Sequence, residues 1–181
     1  MKKDNKKSEF DFKDNFIWNG LLRIQRGIMI FSSIFVIIVI SLAVVLRYIF
    51  KTDLYGLEEI VTLVAFWLYF IGSSYGSYEK SQISADILTM YLRNKKHKQI
   101  VTIIASLITT AMSILGTYWA FQFFVWGIVM RAASPVYRIP MVIPQSSIFI
   151  SFCLMSLYNL VYLFEDIKSF FIKEKEEGAW S

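Results

Sequence analysis

Chemistry needs reactive groups brought close together, and this chain has few to offer. It holds one histidine and one cysteine. His97 stands in the run Lys95-Lys96-His97-Lys98, which reads as a solvated basic face. Cys153 stands in an apolar run with no base near it in sequence. A nucleophilic thiol needs such a base, so Cys153 reads as a small buried hydrophobe. One His and one Cys fall short of a zinc site, and one Cys permits no internal disulfide. No glycine-rich phosphate loop, HExxH or paired-cysteine motif appears. The reading is therefore no catalytic, cofactor-binding or metal-binding set, and not an enzyme.

The groups that remain are carboxylates, guanidiniums and small residues at particular places. Glu58 and Glu59 open an apolar run, where carboxylates favour the positive end of a helix dipole. They either cap that helix or offer a docking surface, and Arg47 and Lys51 lie across the same loop as ion-pair candidates. Arg131 and Arg138 flank Ser134-Pro135 and suit either acidic groups of a partner or lipid headgroups. Gly72 and Gly76 stand four apart, spacing that lets a second helix approach closely in lipid. That second helix belongs either to a partner or to this chain. Ala111, Gly116 and Ala120 give a weaker version of the pattern.

The elements that carry these residues follow from composition. Of 181 residues, 56% are hydrophobic, 17% aromatic and only 18% charged. Ordinary globular domains hold about 45–50% apolar and about 25% charged residues. A soluble domain and a disordered chain are both excluded. Uncharged runs cover 27–46, 60–78, 99–130 and 139–164, each near or above the roughly 20 residues a spanning helix needs. Backbone polar groups in lipid must be satisfied within the segment, so each run predicts a helix. Spans are drawn at 27–50, 58–78, 99–130 and 140–164, with a tail at 165–181. Pro140 and Pro144 sit where a helix tolerates proline, at its start. The first run is read as a retained anchor: it lacks a small-residue cleavage site and ends at Arg47.

Two segments read as amphipathic helices lying on the membrane surface. The first covers 10–26, with Phe10, Ile17, Leu21, Ile24 and Ile28 on one face and Trp18, Arg23 and Arg26 nearby. Phe12, Phe16 and Leu22 interrupt that face. The second covers 81–93, with Ile83, Ile87, Met90 and Tyr91 on one face, followed by Arg93, Lys95, Lys96 and Lys98. Fifteen of the 19 Lys and Arg residues lie on one side when both termini are cytoplasmic. That asymmetry predicts both termini inside. The fold class expected is an all-α integral membrane protein: four transmembrane helices plus amphipathic interfacial helices. No Asp, Glu, Lys, Arg or His lies within the four runs. That argues against a proton relay or a charged solute site in this chain.

The stretch from Arg47 to Leu88 resembles the small membrane subunit of tripartite ATP-independent periplasmic (TRAP) transporters, the DctQ-like family. The likeness rests on Arg47-Tyr48 after the first span, Gly56 with Glu58 and Glu59 entering the second, then Trp67, Gly72, Ile83 and Asp86. Later, Ser134-Pro135 and Ile139-Pro140-Met141 match the stretch before the last span. The chain departs at Gln82, where the family often has His, and at Ala85, where it favours Val. The resemblance implies a bacterial inner-membrane, multi-pass scaffold without cofactors of its own. Its partners would be a large membrane subunit, which holds solute and sodium and moves like an elevator, and a periplasmic solute-binding protein. The family's solutes are carboxylates such as sialic acid or dicarboxylates. Arg47, Glu58, Glu59, Arg131 and Arg138 would then face a partner, and Gly72 and Gly76 would sit in helix contacts. Trp18, Arg23, Arg26, Ile83, Ile87, Arg93, Lys95 and Lys96 would hold phospholipid; nucleic acid is not an expected partner. Competing readings are an autonomous homodimeric four-helix carrier and a generic tetraspan scaffold.

Overall fold

The computed structural model describes residues 16–52, 55–79 and 95–178, with side chains over 18–52, 55–79 and 99–170. Four helices account for nearly all of it: α1 Phe16–Tyr48, α2 Leu57–Tyr78, α3 Lys95–Met130 and α4 Val142–Gly178. Each is long and apolar enough to cross a membrane. The chain is thus an all-helical, multi-pass membrane protein.

The helices do not form a bundle. α1 packs on α2, α2 on α4 and α4 on α3, and long side chains of α1, Trp18 and Gln25, also reach Tyr158 of α4. The spatial order is α1–α2–α4–α3, a row one helix thick. Burial follows position in the row. A third of the most apolar window of α4 is buried, 33%, and 17% of that of α2. The edge helices α1 and α3 bury only 6% and 11%. Both broad faces of the row are therefore apolar, as suits a solvent of acyl chains.

The few fully buried side chains are mostly small and polar. Ser32, Ser74, Ser77, Thr110, Ser113, Ser147, Ser151 and Ser156 are buried, against five hydrophobic residues: Leu22, Ile71, Ala120, Met155 and Tyr158. This inverts the pattern of a water-soluble core. In lipid an apolar side chain gains nothing by turning inward, whereas a hydroxyl finds its hydrogen bond there and a small residue permits close contact.

Helix ends differ from the drawn spans in an instructive way. α1 runs unbroken through 16–26 into the first span, with no break at the drawn boundary. Leu22, which interrupted the predicted face, is one of the buried residues, and Ile24 of that face is exposed. Leu21 and Ile28 of that face are half-buried, so the periodicity does not separate a covered from an uncovered side. α4 likewise continues past Glu165 and Asp166 to Gly178. Charges end an apolar run, but they do not end a helix. Lys95 and Lys96 open α3 rather than standing in a loop before it. Residues 10–15 and the predicted surface helix at 81–93, with Ile83, Ile87 and Arg93, lie outside the described residues.

Candidate functional site

The segment joining α3 to α4 folds into a tight hairpin, Ala133 bridging Pro140. The Ser134 amide donates to the Ile139 carbonyl at 2.9 Å, and the Met141 amide to the Ala132 carbonyl at 2.8 Å. The Ser134 hydroxyl accepts the Ile139 amide at 3.0 Å. Arg138 closes the turn with φ 52°, a left-handed value that side-chain-bearing residues seldom adopt. This leaves the amides of Val136 and Tyr137 without partners inside the hairpin, and unpaired backbone donors must be met elsewhere.

Glu59, in the first turn of α2, meets them. One carboxylate oxygen accepts the Val136 amide at 2.7 Å. The other accepts the Tyr137 amide at 3.0 Å and the Ser134 hydroxyl at 2.6 Å. Hydrogen bonds to an ionised acceptor are about twice as strong as neutral ones. The carboxylate clamps a loop 75 or more residues away in sequence. Tyr137 adds a bond from its hydroxyl to the Tyr55 carbonyl at 3.1 Å. Gly56, at φ 83°, lies under this lid: a Cβ there would sit 2.6 Å from the Tyr137 ring and 2.7 Å from Val136.

Beside the clamp is a groove of about 380 Å³ between α2, α3, α4 and the hairpin. Leu63, Phe66, Phe123, Pro144 and Ile148 line it, with Glu58 and Glu59 at its acidic rim. Gln145 also lines it and is buried, with an Oε1 that has no hydrogen-bond partner. That amide lies against Gly127, where a Cβ would fall 1.6 Å from Oε1. Gly127 therefore makes room for Gln145.

At the other end of the row a second polar group joins three helices. Gln25 of α1 donates to the Ser74 hydroxyl of α2 at 3.1 Å and accepts the Tyr158 hydroxyl of α4 at 3.0 Å. Ser77 donates to Asn159 Oδ1 at 3.2 Å. The Tyr162 hydroxyl bonds the Tyr78 carbonyl. These groups are uncharged and use one another's hydrogen-bonding capacity, which rigidifies a packed seam.

The predicted site residues divide between these places. Among the described residues Glu59 does not pair with Arg47 or Lys51; it holds the hairpin. Glu58 is exposed on the groove rim. Arg47, Arg131 and Arg138 are exposed at the hairpin end. Gly72 faces Met29 of α1, within the chain, and Gly76 is half-buried on the same helix. Trp18 stands edge-on to Tyr158, centroids 5.1 Å apart, so it packs into the three-helix junction rather than lying free at the surface. Arg23 is exposed, and Arg26 donates to the Tyr75 hydroxyl at 2.7 Å with its guanidinium over that ring. Gly116 and Ala120 lie between α3 and α4, whereas Ala111 is exposed. The Gln25–Ser74–Tyr158 set was not visible in sequence. A lone Gln between Ile24 and Arg26 is its only trace.

No curated protein sequence matches this chain. A family model does: the DctQ component of tripartite ATP-independent periplasmic transporters, over residues 36–169. The match takes in the end of α1, all of α2 and α3, the Glu59 hairpin and most of α4, so this chain belongs to the DctQ component family.

Proposed function

We propose that this chain is the stationary, non-catalytic small subunit of a sodium-coupled TRAP carrier in the bacterial inner membrane. The hairpin end faces the periplasm and both termini face the cytoplasm, as the distribution of Lys and Arg favours. A large membrane subunit holds sodium and the carboxylate solute, with sialic acid or a dicarboxylate the best candidates. A periplasmic binding protein delivers that solute to the hairpin end.

The observation that carries this reading is how the polar groups of the row are used. Gln25, Ser74, Tyr158, Ser77 and Asn159 are uncharged and bonded helix to helix. Such groups join helices into a frame. Omission assays in vesicles held under an inward sodium gradient test the proposal, with radiolabelled sialic acid and succinate as probes. Uptake is expected only when large subunit, small subunit and binding protein are all present. Uptake by this chain alone overturns it. Glu58→Lys sharpens the docking part: uptake should fall severalfold while the Glu59 clamp holds the hairpin. Unchanged uptake removes Glu58 from any docking surface.

A further inference from the structure

The groove between α2, α3, α4 and the hairpin holds two polar groups that the fold itself does not use. Glu58 and Glu59 are neighbours on its rim, but only Glu59 is spent on the hairpin. Glu58 is exposed and has no hydrogen-bond or ion-pair partner among the described residues. Further in stands Gln145, only 5% exposed. Its Oε1 rests against Gly127. Its Nε2 has no partner among the described residues and, unlike Oε1, is not sealed off, so it opens on the groove that Gln145 lines. An amide donor shut away from water with nothing to accept it is unfavourable, and an acceptor in the groove would meet it.

The rest of the groove is mostly apolar, and it lies at the depth of lipid. It starts at the helix ends, where α2 begins at Leu57 and α3 finishes at Met130. Phe66 of α2 and Phe123 of α3 lie roughly 14 and 10 Å below those ends at about 1.5 Å per residue. Half of a hydrocarbon core of roughly 30 Å is about 15 Å, so the groove is one leaflet deep. Thr62 and Phe123, on its walls, are exposed, which leaves it open sideways to acyl chains. Its volume of about 380 Å³ is within the range of small-ligand sites.

We propose that this groove seats one phospholipid whose headgroup carries a primary ammonium, as in phosphatidylethanolamine. The ammonium donates to the Glu58 carboxylate at the rim. An ester carbonyl accepts from Gln145 Nε2, and an acyl chain runs over Leu63, Phe66, Phe123 and Ile148. The order of groups matches the lipid's own: charge at the mouth, ester next, hydrocarbon below. Gln145 stands roughly 5 Å below the start of α4, between the rim and the apolar floor. Charge selects the head. Phosphatidylglycerol is anionic and offers Glu58 no cation, and a choline head carries the cation but no N–H to donate. The inference needs only a chain that lies in a membrane, so its failure leaves the carrier reading intact.

Lipid retention by the purified full-length chain tests this, with no binding protein or large subunit present. The chain is reconstituted with equal parts of phosphatidylethanolamine, phosphatidylglycerol and phosphatidylcholine, extracted in mild detergent and weighed by native mass spectrometry. One bound lipid is expected, with phosphatidylethanolamine enriched about tenfold, the worth of one hydrogen bond to a charged group. Glu58→Gln keeps the shape, removes the charge and should abolish most of that preference. Gln145→Met keeps the length and removes the donor. It should lower retention about threefold to tenfold, the usual worth of a hydrogen bond in a membrane, without lowering the unfolding midpoint. A midpoint that falls with retention shows an amide that serves the fold, and contradicts the proposal. Equal retention of the three lipids, a preference for phosphatidylglycerol, or undiminished retention by both variants overturns it. A phosphatidylethanolamine with a diazirine on its acyl chain then locates the site. Adducts are expected on Phe66, Phe123 or Ile148; adducts on α1 alone, or a lipid-free pair of chains, contradict the placement.

Discussion

The two edge helices of the row are attached by opposite means. α1 is joined to α2 through long side chains: Gln25 reaches Ser74, and Arg26 reaches Tyr75. α3 is joined to α4 through the absence of side chains. A Cβ at Gly116 would sit 2.4 Å from the Phe152 ring, and the Thr117 hydroxyl accordingly reaches the Phe152 carbonyl at 3.0 Å and Ser156 at 2.7 Å. At Gly72, on the α1 joint, a Cβ would be 3.8 Å from Met29, an ordinary contact. Lipid removes the hydrophobic drive, and a joint must then rely on polar bonds or on closeness. This molecule uses polar bonds at one joint and closeness, reinforced by hydroxyls, at the other.

The difference can be broken from either side. Gly116→Leu should have the largest effect. The added side chain has no room beside Phe152, and overpacking of this kind costs about 1–3 kcal/mol or more. A clear fall in the unfolding midpoint of the purified protein in detergent checks it, and an unchanged midpoint would mean that α3 and α4 are not in close contact. Tyr158→Phe should cost less, about 0.6–1.7 kcal/mol, because a hydrogen bond between membrane helices is lost while the ring remains. The same measurement decides it. A loss as large as that of Gly116→Leu would mean that the polar joint dominates the row. Gly72→Ala should be smallest, within about 0.5 kcal/mol, since the space is open and alanine favours a helix. A large loss there would restore Gly72 to a close contact.

That last comparison also shows what the sequence could and could not tell. Spacing singled out Gly72 and Gly76 and ranked Gly116 and Ala120 below them. The structure reverses the order at Gly72 and Gly116, because what a glycine is worth depends on the atom opposite it, and Phe152 lies 36 residues beyond Gly116. The four spans were legible because lipid demands long uncharged runs, which composition displays directly. Their order in the row was not, since apolar surface on every side of a helix does not say which side is covered. Glu59 was visible as a carboxylate at a helix start. Its partners, the amides of Val136 and Tyr137, belong to a distant backbone that no side-chain pattern marks. The family resemblance named the component correctly, and the match over residues 36–169 agrees with it.

The central claim is that the row is a frame whose shape is constant while another subunit moves. Distances between spin labels test this most directly. Labels at Ile38→Cys on α1 and Phe164→Cys on α4, with Cys153→Ser, are measured by pulsed electron resonance in the complete carrier, with and without sodium and solute-loaded binding protein. The account predicts one distance distribution in both conditions. A shift approaching one helical turn, about 5.4 Å, would show these helices moving with the transport cycle and would contradict it.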